Sequence, residues 1–124
     1  MGDFTPVHKP GHALSLTASA AVTGGQLLEV TGDLTVGPAA AGSAKVIGQA
    51  GHDAAAGAGV TVHAPGRTVT EATASGAVVA GDPLKAAAGG KVTKFVAGTD
   101  SHTAYLGVAL KGAADGQACR FQPA

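Results

Sequence analysis

The residues with chemistry to offer are few: five histidines, one cysteine, eight acidic and eight basic side chains. His8 and His12 have the i, i+4 spacing of a helical metal pair. Pro10 and Gly11 lie between them and forbid the helix that would hold both rings on one face. His52-Asp53 and Asp100-Ser101-His102 bring acid, base and hydroxyl together in sequence. Adjacent residues in a strand or turn point in different directions, so neither run makes a triad by spacing. "GDPLKAAAGGK" is glycine-rich and ends in Lys91, but Val92 follows where a phosphate-binding loop needs Ser or Thr. Lys91 beside Gly90 also falls short of a swinging-arm carrier lysine, which wants Asp or Met flanks. Cys119 alternates with Phe121, the pattern of a buried apolar thiol rather than a nucleophile. With a single cysteine there is no internal disulfide and no cysteine-based zinc site. These residues predict no enzyme, no cofactor and no metal.

The elements that would have to position any site are strands. "HALSLTAS" sets Leu14 and Leu16 on one face with Ser15 and Thr17 opposite. "GVTVHA" does the same with Val60 and Val62, and "QACRFQ" with Cys119 and Phe121. "RTVTEAT", "KVTKFV" and "AYLGVALK" read as further strands. Gly, Pro and Asp interrupt every several residues, the turn spacing of an all-β sandwich or barrel. The alanine runs "DAAAG", "KAAAGG" and "KGAADG" are cut by glycine too soon to repay helix nucleation. They are expected as turns, at most with one helical turn, or as small-residue edge strands.

The sequence also says nearly the same thing twice. "VTGGQLLEVTGDLTV" (Val22–Val36) is echoed by "VVAGDPLKAAAGGKVTK" (Val78–Lys94). Gly25 falls on Gly81 and Leu28 on Leu84. Pro10-Gly11 matches Pro65-Gly66, and "TAS" recurs. Toward the ends of the copies Gly48 meets Gly107, Gly57 meets Gly116, Val60 meets Cys119 and Val62 meets Phe121. The expectation is one β domain over 12–124, made of two similar β units over about 9–63 and 64–122. They pack face to face or share one barrel, the second copy completing a core that the first cannot close alone. Leu28, Leu84, Val60, Val62, Cys119 and Phe121 are the expected core of these units. Residues 1–11 lead into the β domain. Pro6 and Pro10 disfavour helix and central strand there. An extended arm is expected, laying Phe4, Pro6, Val7, His8 and Lys9 on a neighbouring subunit or a partner surface, because a free Phe4 would stand in water.

Composition bounds the function. Net charge is zero, which argues against a basic nucleic-acid binder and removes a polybasic membrane surface as the default. No run approaches the ~18 apolar residues of a membrane span. "MGDFTPVHKPG" lacks the apolar stretch of a secretory signal, and Pro6 stands where a myristoylation signal wants Ser or Thr. The expectation is a chain made and folded in a cytoplasm. Half of the apolar residues are alanine, with eight leucines, one isoleucine, three phenylalanines and no tryptophan. So thin a core favours self-association or docking on a larger body.

Three stretches, "GHALSLTASAAVTGGQLLEVTGD", "GQAGHDAAAGAGVTV" and "LGVALKGAADGQACRF", resemble the head decoration (capsid cement) proteins of tailed bacteriophages, particularly those of actinobacterial hosts. The resemblance spans about residues 10–122 and lies in a "VTGGQ" turn after a Thr/Ala strand, "DAAAG" between strands and a closing "GVAL…AADG" hairpin. It implies a β-rich virion protein, made in the bacterial host, that binds the major capsid protein on the outer capsid surface. It further implies a homotrimer that stabilises the shell. The five histidines and Cys119 lie outside that pattern. A secreted or surface-displayed β-sandwich module for carbohydrate or protein is the alternative. It is disfavoured by the missing signal and by the scarcity of aromatic rings to stack on sugars.

Overall fold

The computed structural model describes residues 13–63 and 69–123, and these form ten strands and one short 3-10 turn, His102–Ala104. The first five strands are β1 (Leu14–Ala18), β2 (Leu27–Gly32), β3 (Thr35–Pro38), β4 (Val46–Ala50) and β5 (Gly59–His63). They close a barrel in the order β1-β3-β2-β4-β5. Every neighbour in it is antiparallel except β1 with β3, where Thr17 and Ala18 run parallel to Thr35 and Val36. The second five are β6 (Thr70–Thr73), β7 (Pro83–Ala87), β8 (Lys91–Lys94), β9 (Tyr105–Lys111) and β10 (Ala118–Pro123), in the order β6-β10-β9-β7-β8.

Read around the barrel, that is the same order as β1-β5-β4-β2-β3. The hydrogen bonds coincide in detail. Gly25 donates to the Ala50 carbonyl at 2.8 Å, and Gly81 to that of Ala109 at 2.7 Å. The two glycines have φ of +90° and +92°, a conformation that only glycine adopts without strain. Ladder irregularities interrupt the same step, at Leu28/Glu29 against β4 and at Leu84/Lys85 against β9. The difference is in closure: β6 reaches β8 only through the parallel bridge Ala74↔Val92.

Each unit has its own core. Leu28, Val36, Val60 and Val62 fill the first barrel. Leu84, Val92, Cys119 and Phe121 fill the second unit. All eight are buried. The first unit therefore closes by itself, contrary to the expectation that it needs the second copy to do so. The dependence runs the other way. Leu27 and Ala39, from the first unit, belong to the second unit's core, and Val46 packs against it. Leu27 and Leu28 are adjacent in one strand, so one side chain enters the barrel and the other leaves it for the neighbour.

Backbone contacts cross the same junction. Leu27 donates to the Gly90 carbonyl (2.9 Å), Gly90 to that of Ala39 (3.1 Å) and Gly42 to that of Ala86 (2.9 Å). Gln49 Nε2 donates to the Glu71 carbonyl at 2.8 Å, and Thr70 donates its hydroxyl to Gln49 Oε1. Among the alanine runs, "DAAAG" and "KGAADG" are a bridge and a turn as expected. "KAAAGG" is not. Lys85, Ala86 and Ala87 lie in β7, an inner strand between β8 and β9. Only small side chains fit there, with Ala86 wholly enclosed.

Candidate interaction surfaces

The groups that suggested chemistry act as fasteners. His52 and Asp53 do not join side chain to side chain. His52 Nε2 accepts from the Thr61 N–H at 3.2 Å, and Nδ1 lies 2.9 Å from the Asp53 carbonyl oxygen, so the proton is on Nδ1. The Asp53 carboxylate accepts from the Gly24 N–H at 2.8 Å. Asp100 takes Lys85 Nζ at 2.7 Å and the Val96 N–H at 2.7 Å. The Lys85 hydrogen bond and then the backbone donor hold its carboxyl below the ordinary range. Ser101 caps the short turn, accepting from Thr103, while the His102 ring lies 6.3 Å from that of Phe95. Cys119 is buried, and burial first, then the Asp82 charge, pushes its thiol up, away from the thiolate a nucleophile needs. Lys91 opens β8 at a hairpin. Among the described residues no group of three or more His, Cys, Asp or Glu could hold a metal ion.

Of the residues expected to make contacts, Phe4, Pro6, Val7, His8 and Lys9 lie outside the described residues, as does the His8/His12 pair. A cleft of about 430 Å³ opens between the units, lined by Leu27, Val46 and Gln49 on one side and Thr70, Tyr105 and Phe121 on the other. Its central polar group, Gln49, is already satisfied by Thr70 and Glu71. No helix is long and apolar enough to cross a membrane among the described residues.

The surface carries apolar side chains that the sequence reading did not single out: Val30, Leu34, Val79, Val96, Tyr105, Val108 and Leu110 are all exposed. Leu34 is 79% exposed at a hairpin tip and has φ of +51°. That is a costly place for a leucine unless something covers it. The signal was available in the repeat, because Leu34 stands where the second copy has Gly90.

The sequence profile of the phage cement protein family matches residues 8–122, almost the whole chain. The chain belongs to this family. It is a capsid-associated structural protein of a phage, and a family of that kind speaks for a non-catalytic role. The fold is also similar to the crystal structure of the head fiber gp8.5 N base of bacteriophage phi29. That match has a TM-score of 0.70 and 21% identity, and covers 91% of this chain and 93% of that one. No curated protein matches the chain.

Proposed function

We propose that this protein binds the major capsid protein on the outer surface of a phage head, as a homotrimer, and stabilises the shell. The observation that carries the reading is the cement-family match over residues 8–122. The chemistry agrees with it. A neutral chain with exposed apolar residues is suited to sitting on a protein lattice. Binding the assembled lattice but not the free subunits stabilises the lattice by mass action. A trimer that engages several sites at once gains avidity from contacts that are weak singly. The leader joins in through Phe4 and Val7, with Pro6 and Pro10 reducing the entropy lost on docking. His8 and Lys9 are its polar contacts.

The test is cosedimentation with the cognate capsids. The full chain is expected to travel with them and to raise the temperature at which they break open. Deleting residues 2–9 should leave the melting of the free protein unchanged and weaken capsid binding. Full-strength binding by the truncated chain would remove the arm from the reading. A full chain left in the supernatant would remove the cement function itself.

A further inference from the structure

We propose that copies of this chain join head to tail, by repeating between chains the contact that the two units already make within one. The inference rests on the proposed self-association and states which faces meet.

Inside the chain, the first unit presents a docking face and the second a receiving face. The docking face holds Leu27, Ala39, Gly42, Val46 and Gln49. The receiving face holds Thr70, Glu71, Ala86 and the Gly89-Gly90 tip. Nine of these ten residues are fixed by a hydrogen bond across the junction or by burial in the second unit's core; Val46 packs against that core. The shared strand order assigns each a counterpart in the other unit. Ala39 donates to the Leu27 carbonyl as Phe95 donates to that of Pro83, so Leu27 corresponds to Pro83 and Ala39 to Phe95. Ser43 donates to Ala40 as Thr99 does to Val96, so Gly42 corresponds to Gly98. The β2–β4 and β7–β9 registers equate Val46 with Tyr105 and Gln49 with Val108. The β1–β5 and β6–β10 registers equate Leu14 with Thr70. The two hairpins equate Val30 with Ala86 and Leu34 with Gly90.

Both unmated faces are therefore defined, and both carry large apolar side chains. The second unit's docking face carries Tyr105 and Val108, with the buried Phe95 beneath and Val96 next to it in the chain at the edge. The first unit's receiving face carries Val30 and Leu34, with Ser15 and Asp33 beside them and Leu14 half-buried against its own barrel's core. Val30, Leu34, Val96, Tyr105 and Val108 make up five of the eight large apolar side chains exposed among the described residues. The substitutions are matched across the junction. Within the chain Gln49 meets Thr70 by hydrogen bonds; between chains their counterparts Val108 and Leu14 are both apolar. Charge does not oppose the contact. Asp82, the counterpart of Gln26, would approach Asp33, but Lys94 Nζ lies 3.8 Å from Asp82.

The copy between chains is not superposable on the one within. Pro83 has no N–H to repeat the Leu27 bond. Leu34 has a side chain where Gly90 tolerates none, since a Cβ there would lie 2.8 Å from the Leu27 carbonyl oxygen. The faces sit further apart, and the Leu34 side chain fills the space beside Pro83 and Tyr105. Such a contact is heterologous, with different faces on the two partners, and it closes into a ring if the rotation allows. Three copies would make a ring of six similar units.

A mixing experiment separates this geometry from a two-fold contact. Leu34→Asp spoils only the receiving face and Val108→Asp only the docking face. By sedimentation velocity the wild type is expected as one closed oligomer and each variant alone as a monomer. An equal mixture is expected as a dimer containing one copy of each, because one intact face of each kind remains. Unchanged melting certifies both folds, and Val96→Asp replaces Val108→Asp if the latter melts early. Variants that oligomerise like the wild type, or that stay monomeric when mixed, overturn the proposal. So does a wild type that stays monomeric at every concentration. Capsid cosedimentation run in parallel keeps the readings apart. Capsid binding by a monomeric wild type would sink the head-to-tail contact and leave the cement function standing. The expected mixing result without capsid binding would do the reverse.

Discussion

At the scale of single residues, Asp100 shows how a group that looks catalytic in sequence is used as a clamp. Its carboxylate ties Lys85 on β7 to the turn that begins at Val96. The folded-state pKa lies below the ordinary 3.8, first through the Lys85 hydrogen bond and then through the Val96 N–H. A lowered carboxylate pKa means that the unfolded chain binds the proton more readily. The contribution to stability is therefore present above the unfolded value and is lost as pH falls through the folded one. Asp100→Asn should flatten that acid limb. Below pH 3.8 the melting midpoint of the wild type should fall more steeply than that of the variant, and near neutral pH the variant should be the less stable. Parallel curves would mean that water screens the pair to nothing, as at many surface ion pairs. The sequence marked Asp100 as notable because Ser101 and His102 follow it. It carried no sign of Lys85, which lies on another strand and meets Asp100 only through folding.

At the scale of elements, what was legible depended on whether a strand serves one core or two. β1, β5 and β10 alternate in sequence because one face fills one core: Leu14, Leu16 and Ala18, then Val60 and Val62, then Cys119 and Phe121. β2 and β4 do not alternate. Leu27 and Leu28, like Val46 and Ile47, point to different cores, so successive apolar residues are all used. A period-2 search passes over such strands. β3 is short and holds Gly37 and Pro38, and β7 begins at Pro83 and continues through alanines, so neither offers a β-branched run. The matched glycines were the better guide, because Gly25 and Gly81 answer one backbone demand rather than a packing preference. The same logic tests the junction between units. Gly89 and Gly90 have φ of +77° and +74°, so alanine is strained equally at both. A Cβ on Gly89 meets nothing within 4 Å, whereas one on Gly90 meets Leu27 O at 2.8 Å and Leu27 N at 3.0 Å. Gly90→Ala should therefore destabilise more than Gly89→Ala, by about 1–3 kcal/mol for backbone forced apart. Urea unfolding of the pair measures the difference, and equal losses would mean that the hairpin tip does not bear on the first unit.

At the scale of the whole molecule, two units of similar strand order are joined by an unequal exchange. The first barrel is closed and filled by its own side chains. The second is held between β6 and β8 by one bridge, and its core takes Leu27 and Ala39 from its neighbour. Pulling the units apart would expose those side chains together with Leu84, Val92 and the other residues they cover. It would also exchange the backbone hydrogen bonds of Gly90, Ala39 and Ala86 for bonds to water. Each such exchange costs about 0.5–1.5 kcal/mol net, and units this small have little stability to spare. The halves should therefore not melt separately. Leu28 and Leu84 occupy the same place in the two cores and neither is accessible to solvent. Truncating either to alanine should cost about 2–5 kcal/mol. Scanning calorimetry should show one transition in the wild type, with matching calorimetric and van't Hoff enthalpies. Leu28→Ala and Leu84→Ala should each lower that same transition as a whole. Two resolved peaks, with each variant moving only its own, would show that the junction holds two independent barrels side by side and adds nothing to their folding.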